Sequence, residues 1–228
     1  MSVTVAAHQP EYLPRPHYFH KIAGVTDFVF LDDVQYPRGQ SRANSCQVKA
    51  IDGARQLTIP VQEPQREGRI AYLEVRAADG GWREQHLKTV EYAYKRAPFF
   101  DDIFPWYEGI LGWGNLPLVQ INLCLIAWVL SYLKVNTILH SLSSMGVKGR
   151  KSDLIIGICK HLGAHVYLSG QDTRGYDEAA FRAAGIRLEY QRFRPPAYPQ
   201  LWGDFVPGLS VLDLLMNCGP ESREVLGL

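Results

Sequence analysis

Short apolar runs and polar loops alternate along this chain, and most of the loops open helix-like periods. Val3-Thr4-Val5-Ala6-Ala7 predicts a buried strand over about residues 2–7, running into His8-Gln9-Pro10-Glu11-Tyr12-Leu13-Pro14. A short apolar run bounded by turn residues is the mark of such a strand. His17 to Ala23 reads as a short helix. The shape then recurs: a strand over about residues 27–31 ends in Asp32-Asp33-Val34-Gln35-Tyr36, and Pro37 to Ser41 is a loop by composition. Asn44 to Ala50 and Gln56 to Val61 predict a hairpin around Ile51-Asp52-Gly53-Ala54, because Asp-Gly between alternating segments favours a reversal. Residues 71–76 add a further strand.

The middle of the chain is helical. Gly81 to Arg96 carries Trp82, Leu87, Val90, Ala93 and Tyr94 near the 3.6 period, and Pro98 and Pro105 punctuate Phe99 to Leu111. Asn115-Leu116-Pro117 opens a long helix over about 117–133, apolar on most sides and therefore central. Trp82, Trp106, Trp113 and Trp128 read as core. His86 and Lys88, two apart, do not share a helix face and read as surface. The last third alternates: strand 137–142, helix 152–162, strand 165–168, helix 176–184, strand 187–190 and a final helix 209–217. That β-α-β-α-β order predicts parallel pairing.

Composition narrows the classes. The chain has 228 residues, 46% of them hydrophobic, enough for a substantial core without metals or disulfides. A formal net charge of +1 supplies no global field for nucleic acid or an anionic membrane, so any anion site must be local. Cys46, Cys124, Cys159 and Cys218 lack metal-site spacing; Cys124 and Cys159 read as buried thiols, and Cys46 is the one to test as reactive. The stretch Leu116 to Leu133 is too interrupted to span a membrane, and a soluble cytoplasmic protein is the default expectation.

Four constellations carry chemistry-bearing residues. His8 and Gln9 follow strand one, where ligands bind in open α/β sheets. His8 there can bind phosphate, move a proton or orient a carbonyl, or simply hold the loop. Asp32 and Asp33 end strand two and point in different directions. Together they are weak evidence for a shared Mg²⁺. Lys148-Gly149-Arg150-Lys151-Ser152-Asp153 precedes a helix, where cations and the helix start favour an anion; a solvated basic turn is the plain alternative. Leu168-Ser169-Gly170-Gln171-Asp172-Thr173-Arg174-Gly175-Tyr176 again joins a strand to a helix, and Ser169 fits substrate positioning better than covalent catalysis.

Taken together, His8 to Pro14, Tyr18-Phe19-His20-Lys21-Ile22, Phe28 to Tyr36, His86-Leu87-Lys88-Thr89, Ala97-Pro98-Phe99-Phe100-Asp101, Lys148 to Asp153 and Tyr167-Leu168-Ser169-Gly170 resemble the WbqC-like family across about residues 3–217. The resemblance implies a protein of O-antigen, other polysaccharide or specialised-metabolite pathways. It also implies attachment of an acyl or aminoacyl group to an amino sugar. Family members carry an Asn-rich stretch where this chain has Arg42 to Lys49; only Asn44 matches, and Ala43 and Cys46 depart, which puts the substrate in doubt. Lys148 to Ser152 is also similar to the KMSKS loop of nucleotide-activating enzymes, and His8-Gln9-Pro10 stands where their HIGH-type motif does. ATP and Mg²⁺ are therefore candidate cofactors, although the chain lacks a Walker A loop and a GxGxxG fingerprint.

These readings predict one α/β domain over 1–228: a largely parallel, Rossmann-like sheet with an antiparallel hairpin insertion and a helical subregion at about 80–134. The leading expectation is an acyl-transferring or amide-forming enzyme acting on a small amine and an activated acyl donor, with homo-oligomerisation open. His8, Asp32 or Asp33 would take the proton. Lys148, Arg150, Lys151 and Ser152 would hold phosphate, and Gln9, Tyr12, Gln35, Tyr36, Asn44, Ser169 and Gly170 would orient substrate. A nucleotidyltransferase or phosphate-releasing hydrolase, and a non-catalytic ligand-binding protein of a biosynthetic complex, are the rivals. The common-centre reading requires His8 and Ser152 to share one opening.

Overall fold

A computed structural model describes residues 3–37, 41–62, 71–114, 116–170 and 175–228. Asn115, Gln171 to Arg174 and Arg38 to Gln40, the last within the segment expected as a loop, lie outside the described residues. In chain order the elements are β1 (Thr4–His8), α1 (Pro16–Ala23), β2 (Asp27–Phe30), β3 (Ser45–Ala50), β4 (Gly53–Thr58), β5 (Val61–Gln62), a 3₁₀ turn (Tyr72–Glu74) and β6 (Arg76–Ala77). Then come α2 (Trp82–Tyr94), α3 (Phe100–Leu111), α4 (Leu118–Tyr132), β7 (Ile138–Ser141), α5 (Leu142–Met145), α6 (Lys151–His161) and β8 (Val166–Ser169). The chain closes with α7 (Glu178–Ala183), β9 (Arg187–Tyr190), α8 (Val211–Cys218) and α9 (Ser222–Leu226).

Five strands form a fully parallel sheet in the order β7-β2-β1-β8-β9. Counted along the chain, that is 3-2-1-4-5, the order of doubly wound nucleotide-binding sheets. Side chains alternate between its faces. Ala6, Phe28 and Phe30 join Tyr18, Phe19 and Ile22 of α1 and the helical middle on one face. Val5, Ala7, Val29 and Tyr167 meet Leu154, Ile155 and Ile158 of α6 and Phe181 of α7 on the other. The chain thus winds from β1 over one face and returns over the other to β8 and β9. The winding reverses between β1 and β8, and a crevice opens at their carboxyl ends, where His8 and Gly170 line it.

The structure sharpens several expectations. The hairpin turn is tighter than expected: Ala50 pairs with Gly53, leaving only Ile51 and Asp52 in the loop. Gly53 has φ +113°, a conformation that L side chains avoid, so the glycine is what permits the short turn. The expected 71–76 strand is mostly the 3₁₀ turn, with only Arg76–Ala77 pairing, antiparallel to β5. Trp106 and Trp113 are 62% and 61% exposed rather than core, because Ile103, Tyr107, Ile110 and Leu111 fill the inward side of α3. His86, expected at the surface, is buried between the Tyr12 hydroxyl (2.9 Å) and the Thr58 carbonyl (3.2 Å).

Candidate functional site

The loop leaving β1 is buried and tightly held. Tyr72 Oη donates to the Pro10 carbonyl (2.7 Å), Tyr12 N–H to the Arg42 carbonyl (2.9 Å) and Val211 N–H to the Pro14 carbonyl (2.8 Å). Leu13 sits at φ 44°, a strained conformation for a leucine that these anchors sustain. The loop ends at Arg15, the N-cap of α1, with Pro16 at the first helical position, where its missing N–H costs little.

This arrangement brings separate segments around a cavity of about 380 Å³ at the switch point. His8 comes from the end of β1, and Arg15, His17 and Lys21 from α1 and its cap. Arg42 comes from the approach to β3 and Gly170 from the end of β8. The segment after β9 closes the cavity with Gln191, Phe193, Arg194 and Tyr198, followed by Phe205 to Leu209. Gln191 fastens that segment, donating from Nε2 to the His17 carbonyl and to His20 Nδ1, both at 2.8 Å.

The electrostatics favour an anion. Arg15, Lys21, Arg42 and Arg194 all face the cavity. Lys21 is only 3% exposed; among the described residues its ammonium meets the Ala7 carbonyl at 3.4 Å and no carboxylate at ion-pair distance. Desolvation lowers its pKa to about 8, partly opposed by the Glu11 charge. His8 lines the same space, and desolvation followed by the Lys21 charge lowers it to about 3, so the imidazole is neutral at pH 7. Its Nδ1 lies 3.0 Å from the Gln9 carbonyl, which can only accept. The proton therefore belongs on Nδ1, and Nε2 keeps the lone pair.

The model of the WbqC-like protein family matches residues 9–225 of the chain, a span that begins directly after β1 and His8 and takes in the rest of the cavity lining and the other four strands of the sheet. The chain belongs to the WbqC-like family. It is also similar to the protein named Uncharacterized protein Rv1507c of Mycobacterium tuberculosis (strain H37Rv), 33% identical over 228 residues and covering 97% of this chain and 96% of that protein.

In this WbqC-like protein the residues singled out from the sequence fall into two openings and a supporting frame. His8 and Gly170 line the cavity. Asp33, Gln35, Lys148, Arg150 and Lys151 line a separate groove that shares no lining residue with it among the described residues. There Lys148 pairs with Asp33 at 2.8 Å. The loop before α6 follows β7, two strands from β1, or about 10 Å at the usual spacing. Gln9 Nε2 donates to the Gln35 carbonyl (3.2 Å), bridging the loops after β1 and β2. One reaction centre uniting His8 with the basic loop is therefore not what the structure builds.

The frame accounts for the rest. Asp32 accepts from Ser143 N–H (2.9 Å) and Ser143 Oγ (2.6 Å), which commits both carboxylate oxygens to the turn after β7. Asp33 pairs instead with Lys148, so the two acids have different partners. Among the described residues no three His, Cys, Asp or Glu side chains cluster as metal ligands. Ser152 Oγ accepts from Asp177 N–H (2.8 Å), so the hydroxyl ties α6 to α7 rather than facing a phosphate. The Tyr12 hydroxyl is held by His86 and Tyr107, and the Tyr36 ring packs on Tyr72. Asn44 locks its own turn through Ser41 and Ile59. Ser169 is buried, with Oγ 3.4 Å from the Gly170 carbonyl. Burial pushes the Cys46 thiol up, away from a thiolate. No helix among the described residues is long and apolar enough to cross a membrane.

Two openings make a testable separation. Lys148→Ala should leave pyrophosphate affinity at the His8 cavity within about twofold, as expected for distant, unconnected sites. Ser152→Ala should cost about 1 kcal/mol in urea unfolding without changing that affinity. A tenfold loss of affinity in Lys148→Ala, read by calorimetry, would reunite the two openings.

Sequence reasoning missed Arg15, Lys21, Arg42, Gln191 and Arg194. Their only local signal is Lys21 beside Tyr18, Phe19 and Ile22 in α1, where a lysine on the inward stripe has no solvent to reach.

Proposed function

We propose that this protein is a biosynthetic enzyme that transfers an acyl or aminoacyl group to the amine of a small anionic acceptor, such as a phosphorylated amino sugar. It would act in a polysaccharide or specialised-metabolite pathway. The observation that carries the reading is a neutral imidazole with a free Nε2 lone pair inside a cation-walled cavity at the sheet's switch point. The cations hold the substrate's anionic group bidentately or as point charges. Desolvation is the main cause that depresses His8; the arriving anion offsets the smaller part, from the Lys21, His17 and Arg42 charges, and so raises the basicity of the imidazole in part. The amine attacks the acyl carbon, forming the C–N bond, and its proton passes to His8 Nε2. Arg15 and Lys21 stabilise the oxyanion of the tetrahedral intermediate. The bond to the leaving group then breaks, and the leaving group departs with the electron pair.

The test is amine-dependent product formation with acyl phosphates and phosphorylated amino sugars. His8→Asn should lower kcat by roughly 10² to 10⁴, the usual contribution of a general base, with a much smaller change in KM. Phosphate release independent of any amine favours the hydrolase or nucleotidyltransferase rival. Saturable binding without turnover favours a binding protein.

A further inference from the structure

Arg15 and Arg42 each face two ways. Both also line a recess of about 140 Å³, bounded by Glu11, Cys46 and Ser210 among others. Two polar groups buried there lack hydrogen-bond partners among the described residues. Glu11 is 5% exposed, and its carboxylate accepts no hydrogen bond from any described residue; His8 Nδ1 lies 3.8 Å away. That imidazole is neutral and directs its proton to Gln9. Ser210 is the N-cap residue of α8, a position where a serine hydroxyl ordinarily accepts from the first-turn amides. Here it makes no capping bond. The residue is 1% exposed, and Oγ has no partner among the described residues. A cap bond worth about 1 kcal/mol is thus forgone at a buried residue that lines the recess.

We infer that in the initial complex this recess receives a primary ammonium group of the substrate, held by the Glu11 carboxylate and Ser210, while the anionic group of the same molecule lies against Arg15 and Arg42; an acceptor amine then leaves the recess for the main cavity, where His8 takes its proton. Charge balance selects that ligand. An anion alone leaves Glu11 a buried carboxylate without a donor and repels it at short range. A cation alone faces Arg15, Arg42 and Lys21, the three charges that act on Glu11. A molecule carrying both signs satisfies both sets. A recess of about 140 Å³ has room for the amine and the atoms next to it, and Arg15 and Arg42, which line both spaces, mark where the rest of the molecule continues into the larger cavity.

The inference rests on the anionic-substrate reading of the main cavity. Phosphorylated amino sugars and α-amino acids both carry the required pair of charges, and titration calorimetry separates them. Glucosamine 1-phosphate is compared with glucose 1-phosphate, and alanine with lactate. Pyrophosphate serves as the control for the main cavity. In at least one pair the amine-bearing member should bind about tenfold tighter or more, a difference of about 1.4 kcal/mol. Glu11→Gln should collapse that ratio to about twofold or less and tighten binding of the amine-free member, because the removed charge repelled its anion. Ser210→Ala, a milder change, should reduce the ratio part-way. Pyrophosphate binding with no amine preference in either pair overturns the recess assignment while leaving the anionic cavity standing. Failure of wild-type protein to bind pyrophosphate overturns both.

Discussion

Lys21→Met is expected to raise the stability of the protein while abolishing its binding of anions. The ammonium of Lys21 is buried beside His8, with one long hydrogen bond to the Ala7 carbonyl. Its pKa falls from 10.5 in the unfolded chain to about 8 in the fold. A displacement of that size corresponds to about 3 kcal/mol held against folding. The sign follows from proton counts. Between pH 8 and 10.5 the unfolded chain binds more protons than the folded one, so wild-type stability gains from this group as pH rises through that window. The advantage of the methionine variant should therefore be full below pH 8, on the order of 2–3 kcal/mol in urea unfolding, and disappear above pH 10.5. Wild-type affinity for pyrophosphate should fall as pH rises past 8 and Lys21 loses its charge, and Lys21→Arg should move that loss to higher pH. A methionine variant less stable than wild type at pH 7 would show that the ammonium has a compensating partner.

Asp213→Ala should have the largest opposite effect, a loss of about 3–5 kcal/mol in urea unfolding together with weakened ligand binding. The buried carboxylate of Asp213 accepts from Tyr94 Oη (2.8 Å), Tyr198 Oη (2.8 Å) and Gln200 Nε2 (2.9 Å). Tyr198 is part of the cavity wall, and Gln200 Oε1 in turn accepts from Val206 N–H (2.8 Å), next to Phe205 and Pro207 of the same wall. Alanine would orphan three donors at once and release the segment that closes the cavity. Asp213→Asn keeps one acceptor oxygen, and its cost should be near 1–2 kcal/mol. An alanine variant with wild-type unfolding would mean that apolar packing of Tyr198 and Phe205 holds the wall without the carboxylate.

His8 and Gly170 were legible as site residues because each ends an apolar run whose direction the sequence makes plain. Asp32 and Ser152 were legible as polar residues at element ends, but their partners, Ser143 and Asp177, were not, since no local pattern records a contact across 111 or 25 residues. The arginines and lysine of the cavity were hidden for a related reason. Arg15, Lys21, Arg42 and Arg194 are scattered through the chain, and a lone cation in a loop or short helix reads as solvated. Trp106 and His86 exchanged their expected places, because helical spacing defines stripes without saying which stripe meets the core.

By itself the amino-acid sequence determined that strands alternate with helices, that their polar ends carry His8 and the acids, and that a hairpin and a helical block interrupt the sheet. Those features are written in local periodicity and turn chemistry, which act over a few residues. Only the tertiary structure decided that β8 lies beside β1, that the basic loop before α6 stands apart from His8, and that four distant cations surround one cavity. Strand order is set by which faces the crossovers cover as the two cores close, and that long-range packing choice leaves no local trace in the sequence.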